Sequence, residues 1–156
     1  MRVGIFHTAF LGDIALLSLL IEALYRENHE IFLITKKMAT LFYKEDHRLK
    51  GYIIADKKKG FEKVKSIFEI ANQIDNLNLD VLLVPHKSYT TAFTSYLTKV
   101  PKKVAYNDAS FKFAYTHFQD FQKEKHECLR CLYLAPEWLV GKKTMSEVEK
   151  IARPVL

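Results

Sequence analysis

The chain has 156 residues, of which 49% are hydrophobic and 27% are charged. This length suits one domain around one core, and the composition excludes disordered and collagen-like chains. Lys and Arg number 24 against 18 acidic residues, and the resulting net charge of +6 favours an anionic partner. Several lysines are clustered, as in Lys57 to Lys59 and Lys102–Lys103, and a solvated surface is the ordinary interpretation of such clusters.

Strand and helix patterns alternate along the chain. Residues 2–6 are apolar and predict a strand, after which a loop with Gly12 leads into a helix whose apolar positions include Ile14 and Leu24. Further strands are predicted at Glu30–Thr35, Tyr52–Ala55, Asp80–Val84, Val104–Tyr106 and, as a short sixth strand, Thr116–Phe118. Further helices are predicted at Glu62–Gln73 (with Val64, Ile67, Phe68 and Ala71 on one face), Ser88–Leu97, Lys123–Tyr133 and Ser146–Ala152.

This alternation predicts an α/β fold with a doubly wound, Rossmann-like parallel sheet covered by helices on both faces. No Gly/Ser linker and no repeat divides residues 1–156, so we expect one domain. The usual strand order places the first strand beside the fourth, and ligands bind at the carboxyl ends of those two strands. The loops expected there are His7 to Asp13 and Pro85 to Ser88.

The first of these loops has one glycine and one carboxylate. It lacks the G-x-G-x-x-G pattern that brings a pyrophosphate close to the backbone, and the chain has no Walker A sequence. Gly12 permits a tight turn, and Asp13 offers a carboxylate beside the crevice. Asp13 also suits a helix N-cap, which the spacing alone favours, and one side chain can serve both roles.

The second loop combines an imidazole, a cation and a hydroxyl at the start of a helix. His86, Lys87 and Ser88 stand where free backbone N–H groups and the helix dipole favour a carboxylate or phosphate. Ser88 equally fits an N-cap and Lys87 a surface lysine. The pattern therefore suits an anion site, and it also fits an ordinary helix start with a surface lysine.

The two cysteines are spaced C-x-x-C. Cys128 and Cys131 could form a redox pair or half of a zinc site, but no second pair follows. The apolar spacing around them is helical. Two partly buried thiols are therefore the favoured interpretation, and no metal site is expected.

Several segments together resemble the ADP-heptose:lipopolysaccharide heptosyltransferases of glycosyltransferase family 9, especially the heptosyltransferase II branch. Residues 2–13, R-V-G-I-F-H-T-A-F-L-G-D, are similar to the strand, T-A-F-L-G-D loop and apolar helix that begin those enzymes. Similar landmarks follow in order at Val84–Ser88, Pro101–Asn107, Tyr115–His117 and His126–Glu127. The C-x-x-C pair is not a hallmark of that family.

This resemblance implies the N-terminal half of a GT-B glycosyltransferase, which has two Rossmann-like domains facing each other across a cleft. In that family the N-terminal domain mainly receives the lipopolysaccharide core acceptor, with its Kdo and heptose sugars. The C-terminal domain, which we expect to be absent from this chain, mainly holds the donor ADP-heptose. The family inverts configuration without a metal ion or cofactor, and the chain alone is expected to be inactive, since positioning both substrates supplies much of the catalysis.

The resemblance also implies roles for individual residues. Asp13 falls on the aspartate proposed as the general base that takes a proton from the acceptor hydroxyl. The residues expected to meet the acceptor are Lys87 first, with His86, Lys36 and Lys37 behind it, together with Thr8, Gly12 and Ser88 of the two loops.

Two other functions are weighed against this one. The chain could be a non-catalytic Rossmann-like module that binds an anionic glycan or a partner domain. Nucleic-acid binding would rest on charge alone, because no recognition motif or aromatic platform supports it, and we do not expect it.

The longest apolar stretch, Ile14 to Ile21, is far shorter than the roughly 18 residues of a membrane span. With no signal-peptide pattern either, the sequence predicts a cytoplasmic protein, with room for peripheral contact at the inner face of the inner membrane.

Overall fold

The first apolar run of the chain forms a central strand of the sheet. The computed structural model describes residues 1–8, 17–56, 58–121 and 127–152. In this part of the chain, six strands form one sheet in the order β3-β2-β1-β4-β5-β6, and every neighbouring pair is parallel. The strands are β1 (Arg2–Phe6), β2 (Glu30–Thr35), β3 (Leu49–Ile54), β4 (Val81–Val84), β5 (Lys102–Tyr106) and β6 (His117–Gln119).

Helices connect these strands and cover both faces of the sheet. They are α1 (Ser18–Arg26), α2 (Thr40–Tyr43), α3 (Phe61–Asn76), α4 (Tyr89–Leu97), α5 (Glu127–Leu132) and α6 (Lys142–Ala152). Short 3₁₀ turns occupy Lys37–Ala39 and Lys112–Ala114. No helix in the described residues is long and apolar enough to cross a membrane.

The sheet divides the interior into two cores. Leu20 and Leu24 of α1 pack on one face with Leu132 of α5 and Val148 of α6. On the other face, Ile74 of α3 and Ala92 of α4 pack in one core with strand residues such as Leu82 of β4. Burial on both faces is the physical reason that β1 and β4 are apolar without polar alternation.

The predicted α/β fold and the pairing of the first strand with the fourth are confirmed. Val3 is in register with Val81, and Ile5 with Leu83. The chain runs outward from β1 to β3 and then returns across the sheet to β4, so the switch point lies between β1 and β4.

The differences from the predicted elements lie at the edges of the fold. Strand β3 begins at Leu49, three residues before the prediction, because alternate residues of this edge strand are exposed and dilute its apolar pattern. Helix α6 begins at Lys142 with a polar first turn that shows no apolar period. The short α2 was not predicted, since four residues cannot display a helical period.

The inward face of helix α3 matches the predicted one only in part, since Ala71 is buried and Ile67 lines the cavity. Ala71 and Ile74 are buried, whereas Val64 and Phe68 are more than half exposed. The N-terminal half of the helix stands away from the sheet. Its inward side lines a cavity instead of a packed core.

The buried face of α1 provides a direct test of the fold. Leu24 is fully buried beneath α5 and α6, so Leu24→Ala should lower the free energy of unfolding by about 2–5 kcal/mol. Leu41 in α2 is 78% exposed, and Leu41→Ala should change it by less than about 0.5 kcal/mol. Denaturant unfolding of the two variants measures both values, and equal losses would contradict this packing.

Candidate functional site

The loops that follow β1 and β4 meet at the switch point of the sheet. The Thr8 hydroxyl lies 3.2 Å from Nδ1 of His86. The rings of His7 and His86 stack with centroids 5.4 Å apart. Parallel pairing of β1 with β4 brings these residues together, although 78 positions separate Thr8 from His86 in the sequence.

His7 is a buried, neutral imidazole at the base of this junction. Its backbone N–H donates to the Ile34 carbonyl at 3.0 Å, extending the ladder between β1 and β2. The pKa of His7 is lowered from 6.5 to about 3, chiefly by burial and in smaller part by the nearby charges of His86 and Lys36. At neutral pH His7 therefore contributes hydrogen-bonding groups and packing without a positive charge.

A cavity of about 430 Å³ opens above this junction, between α3 and α4. Its floor includes Phe6 at the end of β1 and Ala55 just after β3, so it lies at the carboxyl edge of the sheet. Ligands of doubly wound folds bind at this edge. A cavity of this size is within the range of small-molecule binding pockets.

The cavity walls carry cations and many hydroxyl groups. The charged and titratable side chains are Asp56, Lys58, Lys63, His86 and Lys87. The hydroxyl side chains are Thr8, Ser66, Ser88, Tyr89, Thr90, Thr91, Thr94 and Ser110. Such walls suit a polar ligand that has both anionic groups and hydroxyls, because ammonium groups pair with anions while hydroxyls both donate and accept hydrogen bonds.

Helix α4 begins at the cavity. Ser88 is its N-cap, and the Ser88 hydroxyl accepts a 3.5 Å hydrogen bond from the Thr91 backbone N–H. Ser88 therefore has the N-cap role that the sequence suggested, and it also lines the cavity. The positive end of the α4 dipole faces the same space, which adds to its preference for anions.

A turn before α3 places two of the lysines. Gly60 caps α3 with φ near 65° and ψ near −140°, a conformation that residues with a Cβ rarely adopt. Lys58 precedes this turn and Lys63 lies in the first turn of α3, and both line the cavity. Nearby, a carboxylate oxygen of Asp56 accepts a 3.0 Å hydrogen bond from the Lys37 backbone N–H, joining the ends of β2 and β3.

Lys87 is held by an acidic and an aromatic partner. Its Nζ lies 2.5 Å from Oδ2 of Asp108 and 3.7 Å from the centre of the Phe121 ring. These contacts fix the ammonium at the β5 side of the cavity. A ligand anion at Lys87 would share the ammonium with Asp108.

The predicted site residues fall into three groups. Thr8, His86, Lys87 and Ser88 all line the cavity. Lys36 and Lys37 lie beyond its lining, at the turn after β2. Gly12 and Asp13 lie outside the described residues.

Sequence reasoning missed the wall contributed by α3 and its preceding turn. Several charged and polar residues of the cavity lining were not predicted from the sequence as site residues, among them Asp56, Lys58, Lys63, Ser66 and Ser110. The Lys57 to Lys59 cluster was a visible signal that the sequence alone assigned to ordinary surface. Lys63 of α3, and Lys58 just before the helix, line the cavity only because α3 lies across from α4.

The described residues contain no group of three or more His, Cys, Asp or Glu side chains placed to hold a metal ion. Cys131 of the C-x-x-C pair is buried in the core, and the side chain of Cys128 lies outside the described residues. The buried position of Cys131 agrees with the packing interpretation of that cysteine.

Comparison with solved structures decides which fold this is. A family 9 glycosyltransferase from Veillonella parvula superposes with a TM-score of 0.78 at 16% identity, covering 90% of this chain and 41% of that one. ADP-heptose LPS heptosyltransferase II of E. coli superposes with a TM-score of 0.74 at 12% identity, covering 87% of this chain and 40% of that one. E. coli heptosyltransferase WaaC with ADP superposes with a TM-score of 0.68 at 15% identity, covering 86% of this chain and 47% of that one.

The chain shares the Rossmann-like fold of these glycosyltransferases. The resemblance seen in the sequence is thus confirmed at the level of fold. The chain spans less than half the length of each of these structures. No protein-family model and no curated protein matches the sequence.

The low pKa of His7 predicts how the stability of the fold depends on pH. Between pH 6.5 and about 3, the unfolded chain binds a proton on this imidazole that the folded chain excludes. The His7 contribution to stability is therefore complete above pH 6.5, and it declines by about 1.4 kcal/mol per pH unit as the pH falls toward 3. His7→Gln should flatten the pH dependence of the free energy of unfolding in this window.

The exposed His47 supplies the matched control, because His47→Gln removes one imidazole without removing a buried one. Urea unfolding at several pH values between 4 and 7.5 measures the slopes on the basis of linkage. Identical slopes for the two variants would contradict the burial of a neutral His7.

Proposed function

We propose that this chain is the acceptor-binding, N-terminal half of an inverting glycosyltransferase that transfers heptose from ADP-heptose to the lipopolysaccharide inner core. The observation that carries the proposal is the lysine- and hydroxyl-lined cavity at the switch point of the sheet. It supports the proposal because the fold around it is shared with family 9 glycosyltransferases and heptosyltransferases.

The chemistry of the cavity suits an acidic sugar acceptor. Kdo carries a carboxylate, and inner-core sugars carry phosphates, so an acceptor of this class presents anions among many hydroxyls. Lys58 and Lys63 stand on one wall, and the N-terminus of α4 stands on the other. In the proposed complex, lysines and helix amides hold the anionic groups while Ser66, Thr90 and Ser110 exchange hydrogen bonds with sugar hydroxyls.

Asp13 is the proposed general base. It stands five positions after Thr8 in the sequence, and Thr8 lines the cavity just after β1. In the proposed step, its carboxylate takes the proton from an acceptor hydroxyl as that oxygen forms a bond to the anomeric carbon of the donor. The bond from that carbon to the phosphate oxygen breaks, and ADP leaves with the electron pair, so the configuration inverts.

The donor is proposed to bind elsewhere. The chain spans less than half of the structures it resembles, so a second domain facing the carboxyl edge of this sheet would hold ADP-heptose across the cleft. No cofactor or metal takes part in the proposed transfer. The reaction is proposed to occur in the cytoplasm, at the inner face of the inner membrane.

Acceptor binding by the chain tests the cavity. A Kdo-containing inner-core oligosaccharide should bind weakly in isothermal titration, whereas ADP should show little affinity. The double variant Lys58→Gln/Lys63→Gln should weaken acceptor binding about tenfold or more, because it removes two cationic partners of the sugar anions.

The same segment offers a matched control. Lys59 and Lys65 lie beside these lysines but outside the cavity lining, so Lys59→Gln/Lys65→Gln makes the same change in net charge. This control should bind like the unmodified chain. Equal losses in both double variants would point to non-specific attraction and contradict an acceptor site in the cavity.

Asp13 is tested by activity in a protein that contains this chain together with a donor-binding domain. Asp13→Ala should reduce transfer from ADP-heptose by about a hundredfold or more, because proton removal from the nucleophile is lost. Acceptor binding should change little, and the variant should remain folded. Retained transfer would exclude Asp13 as the base, while binding without transfer in the unmodified two-domain protein would favour a non-catalytic glycan-binding module.

A further inference from the structure

The outer face of α4 and the 3₁₀ turn after β5 form a continuous aromatic surface. Phe111 is its hub, with ring centroids 4.8 Å from Tyr89, 5.0 Å from Phe93 and 5.4 Å from Phe113. Tyr96 lies 5.4 Å from Phe113. We call these five residues the aromatic patch. Tyr89, Tyr96 and Phe113 are each more than half exposed, at 63%, 55% and 62%.

Core packing accounts for Phe111, which is half-buried against the core, but not for the other four rings of the aromatic patch, which are exposed. Positions 89, 93 and 96 share one helical face, while the buried face of α4 consists of small residues such as Ala92 and Ser95. Phe111 adopts φ near 53°, a left-handed conformation that is unfavourable for a bulky side chain. The fold thus holds the half-buried Phe111 in strained backbone geometry, where its ring supports the exposed rings of Tyr89, Phe93 and Phe113.

The exposed charge around the aromatic patch is positive. Of the five lysines in residues 85–118, Lys103 is buried and Lys87 is paired with Asp108, the one acidic residue of this segment. Lys112 stands between Phe111 and Phe113, and Lys99 follows the end of α4. An exposed aromatic surface with this charge is complementary to an apolar partner that carries negative groups at its surface.

The position of the patch argues against coverage by a domain that closes over the carboxyl edge. Tyr89 lies at that edge beside the cavity, but Tyr96 is seven residues farther along α4, about 10 Å away along the helix axis. A domain facing the edge would cover Tyr89 and leave Tyr96, Leu97 and Phe113 exposed.

We propose that the aromatic patch docks this chain on the surface of a bilayer that contains anionic phospholipids. Aromatic rings, Tyr above all, favour the headgroup level of a bilayer, where the ring is buried and the hydroxyl stays hydrated. Lys112 and Lys99 then approach lipid phosphates. Because Tyr89 and Ser110 line the cavity, docking sets its mouth beside the membrane, where a lipid-linked glycan is presented. This inference stands on the patch itself and not on the identity of the transferred sugar.

Vesicle co-sedimentation of the 156-residue chain tests the proposal. The chain should sediment with vesicles of phosphatidylcholine and phosphatidylglycerol and much less with phosphatidylcholine alone. Binding should weaken as ionic strength rises. The variant Tyr96→Ser/Phe113→Ser leaves the net charge unchanged and should weaken binding to the anionic vesicles about tenfold, because two exposed rings are lost.

A matched control lies on α3, where Phe61 is 95% exposed and Phe68 is 58% exposed, outside the aromatic patch. Phe61→Ser/Phe68→Ser should bind vesicles like the unmodified chain. Vesicle binding that is absent, or that both double variants weaken equally, would overturn the proposal. So would self-association in sedimentation equilibrium that Tyr96→Ser/Phe113→Ser abolishes, since the patch would then join two copies.

A spectroscopic measurement does not depend on the stability of the double variant. With Trp138→Phe removing the native Trp, Phe113→Trp places the single Trp on the aromatic patch. Its emission should shift to the blue and be quenched by brominated lipid in anionic vesicles. Emission that stays unchanged at vesicle concentrations that sediment the chain would place the membrane contact elsewhere.

Discussion

Parallel pairing between β1 and β4 is the constraint on which the site depends. It places the chain reversal at the middle of the sheet and sets the end of β1 beside the end of β4. Thr8 then meets His86, and the His7 and His86 rings stack. Helices α3 and α4 leave the same edge on the same face, and the space between their first turns becomes the cavity.

At this edge of the sheet, the floor of the junction is uncharged and the rim of the cavity carries positive charge. His7 lies too deep to hold a proton at neutral pH, so the floor of the junction adds no cation. The positive charge comes from exposed lysines and from the N-terminus of α4, where water still reaches. A ligand anion can therefore be bound at the rim without the cost of a buried, unpaired charge in the empty protein.

Two surfaces on one side of the sheet adjoin each other. The cavity lies between α3 and α4, and the aromatic patch continues from its rim at Tyr89 along the outer face of α4. Small residues on the inner face of α4 let the helix sit close to the sheet, and its large residues are left outside. This division links the proposed acceptor site to the proposed membrane contact through a single helix.

Local patterns in the sequence were enough to predict the alternation of strands and helices, the parallel sheet and the two loops of the switch point. They were enough because buried strands and amphipathic helices each carry their own periodicity, and because chain reversal follows from the order of the elements. The edge strand β3 and the short α2 were harder, since solvent exposure and short length remove the period.

Tertiary structure alone decided which side chains share a space. Thr8, His86, Lys87 and Ser88 were predicted from two loops, but the lysines of the α3 wall joined them only because α3 packs across from α4. The same packing left Val64 and Phe68 in solvent, although the sequence placed them on an apolar face. A helical period determines which residues lie on one face, whereas the neighbouring elements determine whether that face is buried, lines a cavity or meets a partner.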